Sequence, residues 1–470
     1  MLKAPAEYLK ENFKTYLEDL KTLVRVPSVS FPGFPESELK RSADAVACLL
    51  KARGLENVKI LKIPGAHPYV YGERIRAPGK PTLLLYAHHD VQPPGRVELW
   101  ETPPFEPTEK QGPGGARLYG RGSADDKAGV IVHTSAIASY LQTVGELPVN
   151  VKVVIEGEEE IGSTHLAEFL QTYREELSAD IMVLTDTGNF DCGVPGLTVA
   201  LRGMVGLEVE VKALSKTVHS GMWGGPVPDP AMALSKMLAT LVDEEGQIAI
   251  PGVLDHVRPI GREEEAELGR IPYSEGDFRE QSGMLPGTQF LNCKKTSGAK
   301  VSPLVQIWRL PSLTVNAIQA SSRLQAGNII NDSAWAKVTI RLVADMNPEE
   351  VLRLLSRHLE AHVPWGLELR LKTEACTGAW STDAKGAAFE AAERALERGY
   401  GKVPVKMGMG GSIPFVKPFA DALGGAPALL IGVEDPYTNA HGENESVLVG
   451  DLRSACLSQI YLFEEIGAKS

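Results

Sequence analysis

Short apolar runs alternate with amphipathic helical patterns through the first part of the chain, and this alternation constrains the fold more than any other feature. Helical periodicity covers about 6–25, 36–53, 128–144 and 164–176, and strands are predicted near 57–63, 82–87, 149–157 and 180–186. The run "VNVKVVIEG" (149–157) is apolar enough to be a buried strand. Strands separated by helices in this order build an α/β sheet covered by helices on both faces. Such sheets place their active sites at the carboxyl ends of the strands.

The pattern changes near residue 203. "MVGLEVEVKAL" (204–214) alternates with period two, as a half-exposed antiparallel strand does. A helix at 229–244, an irregular charged stretch containing "GREEEAELGR", strands at 312–320 and 335–343, a helix at 348–362 and a strand at 367–374 complete an α+β insertion. After it come a helix at 386–399, the Gly-rich "GMGGSIP", the strand "PALLIGV" and a last helix at 450–465. The expected organisation is one α/β domain in two segments, 1–203 and 377–470, interrupted by a smaller domain at 204–376.

Composition narrows the function classes. A net charge of −12 argues against nucleic acid or an anionic membrane as the main partner, since both need a basic face. No stretch approaches the roughly 18 apolar residues of a membrane helix, and the charged amphipathic start lacks the apolar core of a signal peptide. The five cysteines are scattered, odd in number and never in a CxxC pair, so they read as buried thiols in a reducing compartment. A cytoplasmic location follows as the expectation.

The ends of the apolar runs carry the chemistry. "PTLLLY" stops in "AHHDV" (87–91), where strand alternation puts His88 and Asp90 on one face and turns His89 away. A metal-bound His usually donates its other ring N–H to a carboxylate, which His88 and Asp90 suit; a loop-capping pair reads equally well. "LYGRGSADDKAG" sets Asp125 and Asp126 at the start of a helix, where either caps it or one bridges two cations. In "VVIEGEEEIGS" three consecutive glutamates close a buried strand, where mutual repulsion raises their pKa values unless cations compensate; a solvated acidic turn is the alternative. "VLTDTG" ends in Asp186, and "TNAHGENES" puts His441 in a polar loop. Together these supply two His and at least three carboxylates with no thiol, a set suited to zinc, manganese or cobalt. Five ligands exceed one tetrahedral ion and suit two that share a carboxylate.

With these motifs in order, the chain resembles the acetylornithine deacetylase / succinyl-diaminopimelate desuccinylase / carboxypeptidase G family of co-catalytic metallohydrolases (peptidase family M20), nearest its carnosinase and cytosolic nonspecific dipeptidase branch. The resemblance runs from "VRVPSVS" (24–30) through "LLLYAHHDVQP", "LYGRGSADDKAG", "IEGEEEIGS", "TVHSGMWGG" and "IRLVADM" to "GGSIP" and "AHGENE". It implies a helix-covered mixed-sheet catalytic domain of the phosphorylase/hydrolase-like, zinc-exopeptidase type with an inserted ferredoxin-like lid and dimerisation domain. It implies that His88 and Asp186 bind one divalent ion, Glu160 and His441 the other, and that Asp125 bridges them across a cis Asp125–Asp126 peptide. Zn²⁺ is the first expectation, with Mn²⁺ or Co²⁺ as alternatives. Asp90 matches the orienting aspartate and Glu159 the general base. In the insertion, His219 matches a histidine that reaches the substrate carbonyl across a dimer interface, and Arg341 one that holds the substrate carboxylate. Asn328 and Ser412 fall at substrate-binding positions.

The departures all lie on the substrate side. Many dipeptidase-type relatives read Arg-Glu-Gly-Gly-Ser-Ile-Pro where this chain has Gly408-Met409 before "GGSIP", and Thr-Val-Ile-Pro where it has "NIIN" (328–331). The loop after Trp380 lacks the His expected of a carnosinase. The expectation is therefore a homodimeric metal-dependent amide hydrolase, a dipeptidase first and an N-acyl amino acid deacylase second. An inactive metal-dependent scaffold is disfavoured by the intact Glu159 and Asp125.

Overall fold

The computed structural model describes residues 4–269, 271–291, 302–410, 416–422 and 424–468. These fall into two compact units, the first within Met1–Val199, Asp383–Met407 and Ile413–Ser470, the second within Ala200–Thr382 and Gly408–Ser412.

The first unit is built on a mixed sheet. Thr82–His88 lies at its centre, parallel to Asn150–Glu156 on one side and Ile181–Leu184 on the other, and Ala428–Leu430 continues the parallel set. Tyr69–Arg74 and Glu56–Leu61 extend the sheet antiparallel beyond Asn150–Glu156. The central strands are buried on both faces, hence their unbroken apolar runs. The helix Lys127–Thr143 is buried on nearly every side, packed between the sheet and the helices Pro5–Val24 and Val449–Ala468. Its run of small and β-branched residues suits a helix with no solvent face. Parallel pairing sets His88 beside Glu156 and Tyr86 beside Leu184, so the segments after these strands emerge at one edge.

The second unit is an antiparallel four-stranded sheet in the order Ser312–Gln319, Ser333–Leu342, Gly203–Lys212, Glu368–Thr377. The helix Pro230–Ala239 follows the first strand in sequence and Pro348–Ala361 the third, giving the β-α-β-β-α-β order of a ferredoxin-like domain. Period-two alternation turns Val205, Leu207, Val209 and Val211 inward with Ala336, Val338 and Ile340, against Leu234, Met237, Leu355 and Leu359 of the two helices. Asp229 and Asn347 cap those helices, accepting from Ala231 and Met232 N–H and from Glu350 N–H.

Several local expectations differ from the structure. The stretch read as irregular holds the helices Arg262–Leu268, Glu275–Gln281 and Pro303–Arg309. The single helix expected at 164–176 is two, Leu166–Thr172 and Arg174–Leu177. The break falls at Tyr173, whose hydroxyl bonds Lys62 and whose ring packs on Phe169. The four described cysteines are free, but Cys48 and Cys376 are exposed, which corrects the reading of buried thiols; they sit on the solvent faces of a helix and a strand.

Candidate metal centre

At the carboxyl edge of the first unit's sheet, two groups of three metal-capable side chains form: His88, Glu159 and Asp186, and Asp125, Glu160 and His441. Asp125 joins them. Its Oδ1 lies 2.9 Å from His88 Nε2 and its Oδ2 3.1 Å from His441 Nε2, so each oxygen faces one imidazole. Asp186 Oδ1 is 3.8 Å from His88 Nε2, and Glu160 Oε2 is 3.3 Å from His441 Nε2. Two ligands on a tetrahedral zinc, each at ~2.1 Å, lie roughly 3.4 Å apart, so these separations match atoms drawn round a shared cation. The donors are imidazole and carboxylate only, which suits a divalent ion of borderline hardness.

Each side chain is placed by its local backbone. His88 is the last residue of its strand, and its Nδ1 sits 3.1 Å from the Asp90 carbonyl and 3.4 Å from Asp90 Oδ1. That contact leaves Nε2 for the centre. Asp90 does more than face His88: its two oxygens accept the backbone N–H groups of Glu159 (3.2 Å) and Glu160 (3.0 Å). Asp125 follows the Gly-rich turn, and the Asp125–Asp126 peptide is cis. His89, which had no expected role, is buried with Nε2 3.0 Å from the Pro68 carbonyl, and burial lowers its pKa to about 4. It is a neutral wedge behind the site.

The electrostatics explain why cations belong here. Desolvation pushes the Glu159 and Glu160 carboxyls well up, and Asp186 and Asp125 add repulsion to Glu159 and Glu160 respectively. Asp186 is raised too, again mainly by desolvation. Burial works the same way on Asp125, but the contacts from His441 and His88 outweigh it and hold that carboxyl below the usual range. Imidazole protons thus partly neutralise a crowd of buried carboxylates, a task two divalent ions perform far more completely.

The Peptidase family M20/M25/M40 profile matches residues 84–461. The chain belongs to this family. It is 34% identical over 369 residues to the cysteinylglycine-S-conjugate dipeptidase of Corynebacterium striatum, covering 78% of this chain and 77% of that protein. It is 31% identical over 465 residues to the Beta-Ala-His dipeptidase of Rattus norvegicus, covering 94% and 90%. The crystal structure of human carnosine dipeptidase 1 superposes with a TM-score of 0.86 at 27% identity, covering all of both chains. The M20 chain is accordingly a metallopeptidase acting on amide bonds, and its mixed-sheet and inserted α+β units are those of its structural relatives.

Several residues that hold the M20 centre together were not singled out in the sequence. Gln92 clamps Glu160, its N–H on Oε1 at 3.0 Å and its side-chain amide on Oε2 at 2.7 Å. Buried Glu445 accepts from Gly122, Ala124 and Asp125 N–H and pairs with Arg121 at 2.7 Å. Arg121 in turn donates to the carbonyls of His441 and Gly442. Arg121 and Glu445 thereby tie the turn before Asp125 to the loop of His441, and both stand in the motifs "LYGRGSADD" and "AHGENE". Tyr69 donates to Glu156 and Glu158, and His165 bonds Glu158, which fixes the start of the Glu-rich turn.

The expected substrate-side residues fall in the second unit. His219 is exposed, its Nδ1 accepting from Gly221 N–H, on a short strand paired with Ile329–Ile330. The neighbouring Asn328 is exposed and its carbonyl accepts from Ser220 N–H at 2.9 Å. Arg341 lies on Ser333–Leu342, opposite Ser312 and Met204. Ser412 lies outside the described residues. At Gly408, before the Gly-rich segment, Trp308 presses on the backbone: a Cβ there would come 2.8 Å from the Trp308 side chain.

Proposed function

We propose that the chain is a dinuclear, zinc-dependent dipeptidase in which Glu159 is the general base and Asp125 the shared ligand. The observation that carries the reading is the Asp125 carboxylate facing one imidazole with each oxygen, with Glu159 in the group beside it. His88 and Asp186 are assigned to one ion, Glu160 and His441 to the other, with Asp90 orienting His88. When bound, two divalent ions would supply a Lewis acid for the scissile carbonyl and would acidify water. Glu159 accepts a proton from the attacking water and returns it to the leaving amine.

The remaining roles rest on the resemblance. His219 donates to the developing oxyanion in the partner subunit of a homodimer formed through the inserted domain. Arg341 forks the substrate carboxylate, with Asn328 and Ser412 beside it. Exposed Met222 and Trp223, close to His219 in sequence, give that surface the apolar character of an interface. Free, exposed Cys48 and Cys376 favour a reducing compartment, hence the cytoplasm. No helix among the described residues is long and apolar enough to cross a membrane.

The altered loop at Gly408-Met409 favours a second reading, an N-acyl amino acid deacylase with the same centre. Metal-stripped protein reconstituted with Zn²⁺, Mn²⁺ or Co²⁺ and assayed on dipeptides and N-acyl amino acids separates the two. Dipeptide turnover greatest with Zn²⁺ is expected; turnover of acyl amino acids alone overturns the dipeptidase reading.

A further inference from the structure

Four arginines are buried among the described residues, and one of them differs from the rest. Arg117 is 2.9 Å from Asp435, Arg121 2.7 Å from Glu445 and Arg309 2.6 Å from Glu264. Arg202, only 8% exposed, meets no carboxylate among the described residues. Its acceptors are the Ser312 hydroxyl (3.2 Å) and the carbonyls of Gln306 (3.1 Å) and Leu310 (2.7 Å), and its Nε–H has no acceptor. Carbonyls and a hydroxyl solvate a guanidinium but do not neutralise it, and a buried charge without a counter-ion is costly. Desolvation and the like charge of Arg341 lower its pKa to about 10, so the cation persists at neutral pH.

Arg202 also lines a pocket of about 280 Å³ within the second unit. Ile248, Leu254, Phe278, Phe290 and Leu313 supply its apolar wall. The volume is at the small end for ligand sites, which are typically about 300–1,000 Å³ and combine apolar walls with a few polar anchors. A buried cation with no carboxylate partner among the described residues, set beside a hydrocarbon wall, selects a monoanion with an apolar body.

We propose that this pocket binds a small apolar carboxylate, its head on the Arg202 guanidinium and its hydrocarbon against Leu254 and the two phenylalanines. The ligand is a free branched or aromatic acid, because the carboxylate of a peptide substrate is assigned to Arg341.

Isothermal titration of the holoenzyme with 4-methylpentanoate tests the site, with acetate and 4-methylpentanol as controls for head and tail. Arg202→Gln removes the charge and Leu254→Trp fills the pocket while leaving the arginine's contacts to the 306–312 segment intact. Both variants are expected to weaken 4-methylpentanoate at least tenfold, with acetate and the alcohol at least tenfold weaker on the wild type. An affinity unchanged in Leu254→Trp, acetate binding as tightly as the longer acid, or no binding in the millimolar range overturns the proposal. Should Arg202→Gln misfold by circular dichroism, Leu254→Trp and the controls still decide. Binding without competition against dipeptides is expected. Competitive inhibition, with KM raised in Leu254→Trp for leucine-ended but not glycine-ended dipeptides, would put the substrate's own C-terminus there and overturn the assignment to a free acid. Binding is read without turnover, so failure here leaves the dipeptidase reading standing, and the reverse.

Discussion

The two halves of the metal centre are built differently. His88 ends one parallel central strand and Asp186 lies just past another, and His88 is fully buried with its Nδ1 against Asp90. The other half hangs on turns: Asp125 after a Gly-rich loop, Glu160 in a 3-10 turn, and His441 in a loop at φ +64° with its side chain 59% exposed. The sheet itself sets the first half. The second is set by hydrogen bonds between remote segments, chiefly Gln92 on Glu160 and the Arg121–Glu445 pair across the His441 loop. One half is therefore preorganised by the core and the other by a polar network, so the two should differ in stability and in metal exchange.

Glu159 lies in the strand-end group yet is assigned a base, not a ligand. Glu159→Ala is expected to lower turnover ~10²–10⁴-fold while both ions remain, measured by steady-state kinetics with metal analysis. Loss of one ion would move Glu159 among the ligands and redraw the division. In metal-free protein, His88→Ala should cost about 3–5 kcal/mol by urea denaturation, because Asp125 and Asp186 lose a buried partner. His441→Ala, at the exposed end, should cost about 1 kcal/mol or less. Equal costs would erase the contrast.

The strand-end half also rests on His133, buried behind it with Nε2 3.0 Å from the Tyr86 carbonyl. Burial lowers its pKa to about 4. The folded state thus favours neutral His133, and that contribution, present above the unfolded value of ~6.5, is lost as pH falls toward 4. Between pH 7 and 5 the metal-free wild type should lose about 2 kcal/mol more stability than His133→Gln. Parallel pH profiles would remove His133 from the scaffold. The smallest effect is kinetic: a chelator should strip the ions in two phases, the faster absent from His441→Ala. A single phase in the wild type would mean the halves exchange together.

The strand-end residues were legible because a short apolar run that stops in His, Asp or Glu is a local pattern. The same holds for the alternation that separates the two units. Tyr69–Arg74 was not among the expected strands; its Gly72 lies against Val58, Leu50 and Leu55, where a side chain would crowd. The helices Arg262–Leu268, Glu275–Gln281 and Pro303–Arg309 are two turns each, too short for periodicity to register. Glu445, Arg121 and Gln92 stood inside recognised motifs, but Glu445 and Arg121 act across 320 residues of chain and Gln92 across 68.

By itself the sequence determined the secondary-structure grammar, the family and the identity of the metal-capable side chains, because each depends on neighbours within a few residues. Only the tertiary structure decided that Asp125 turns one oxygen to each histidine, that Asp90 holds the Glu159–Glu160 turn as well as His88, and that Arg202 is buried without a counter-ion among the described residues. Those facts are distances between segments far apart in the chain. Burial then gives them their force, since charge and hydrogen bonding act most strongly where water is excluded.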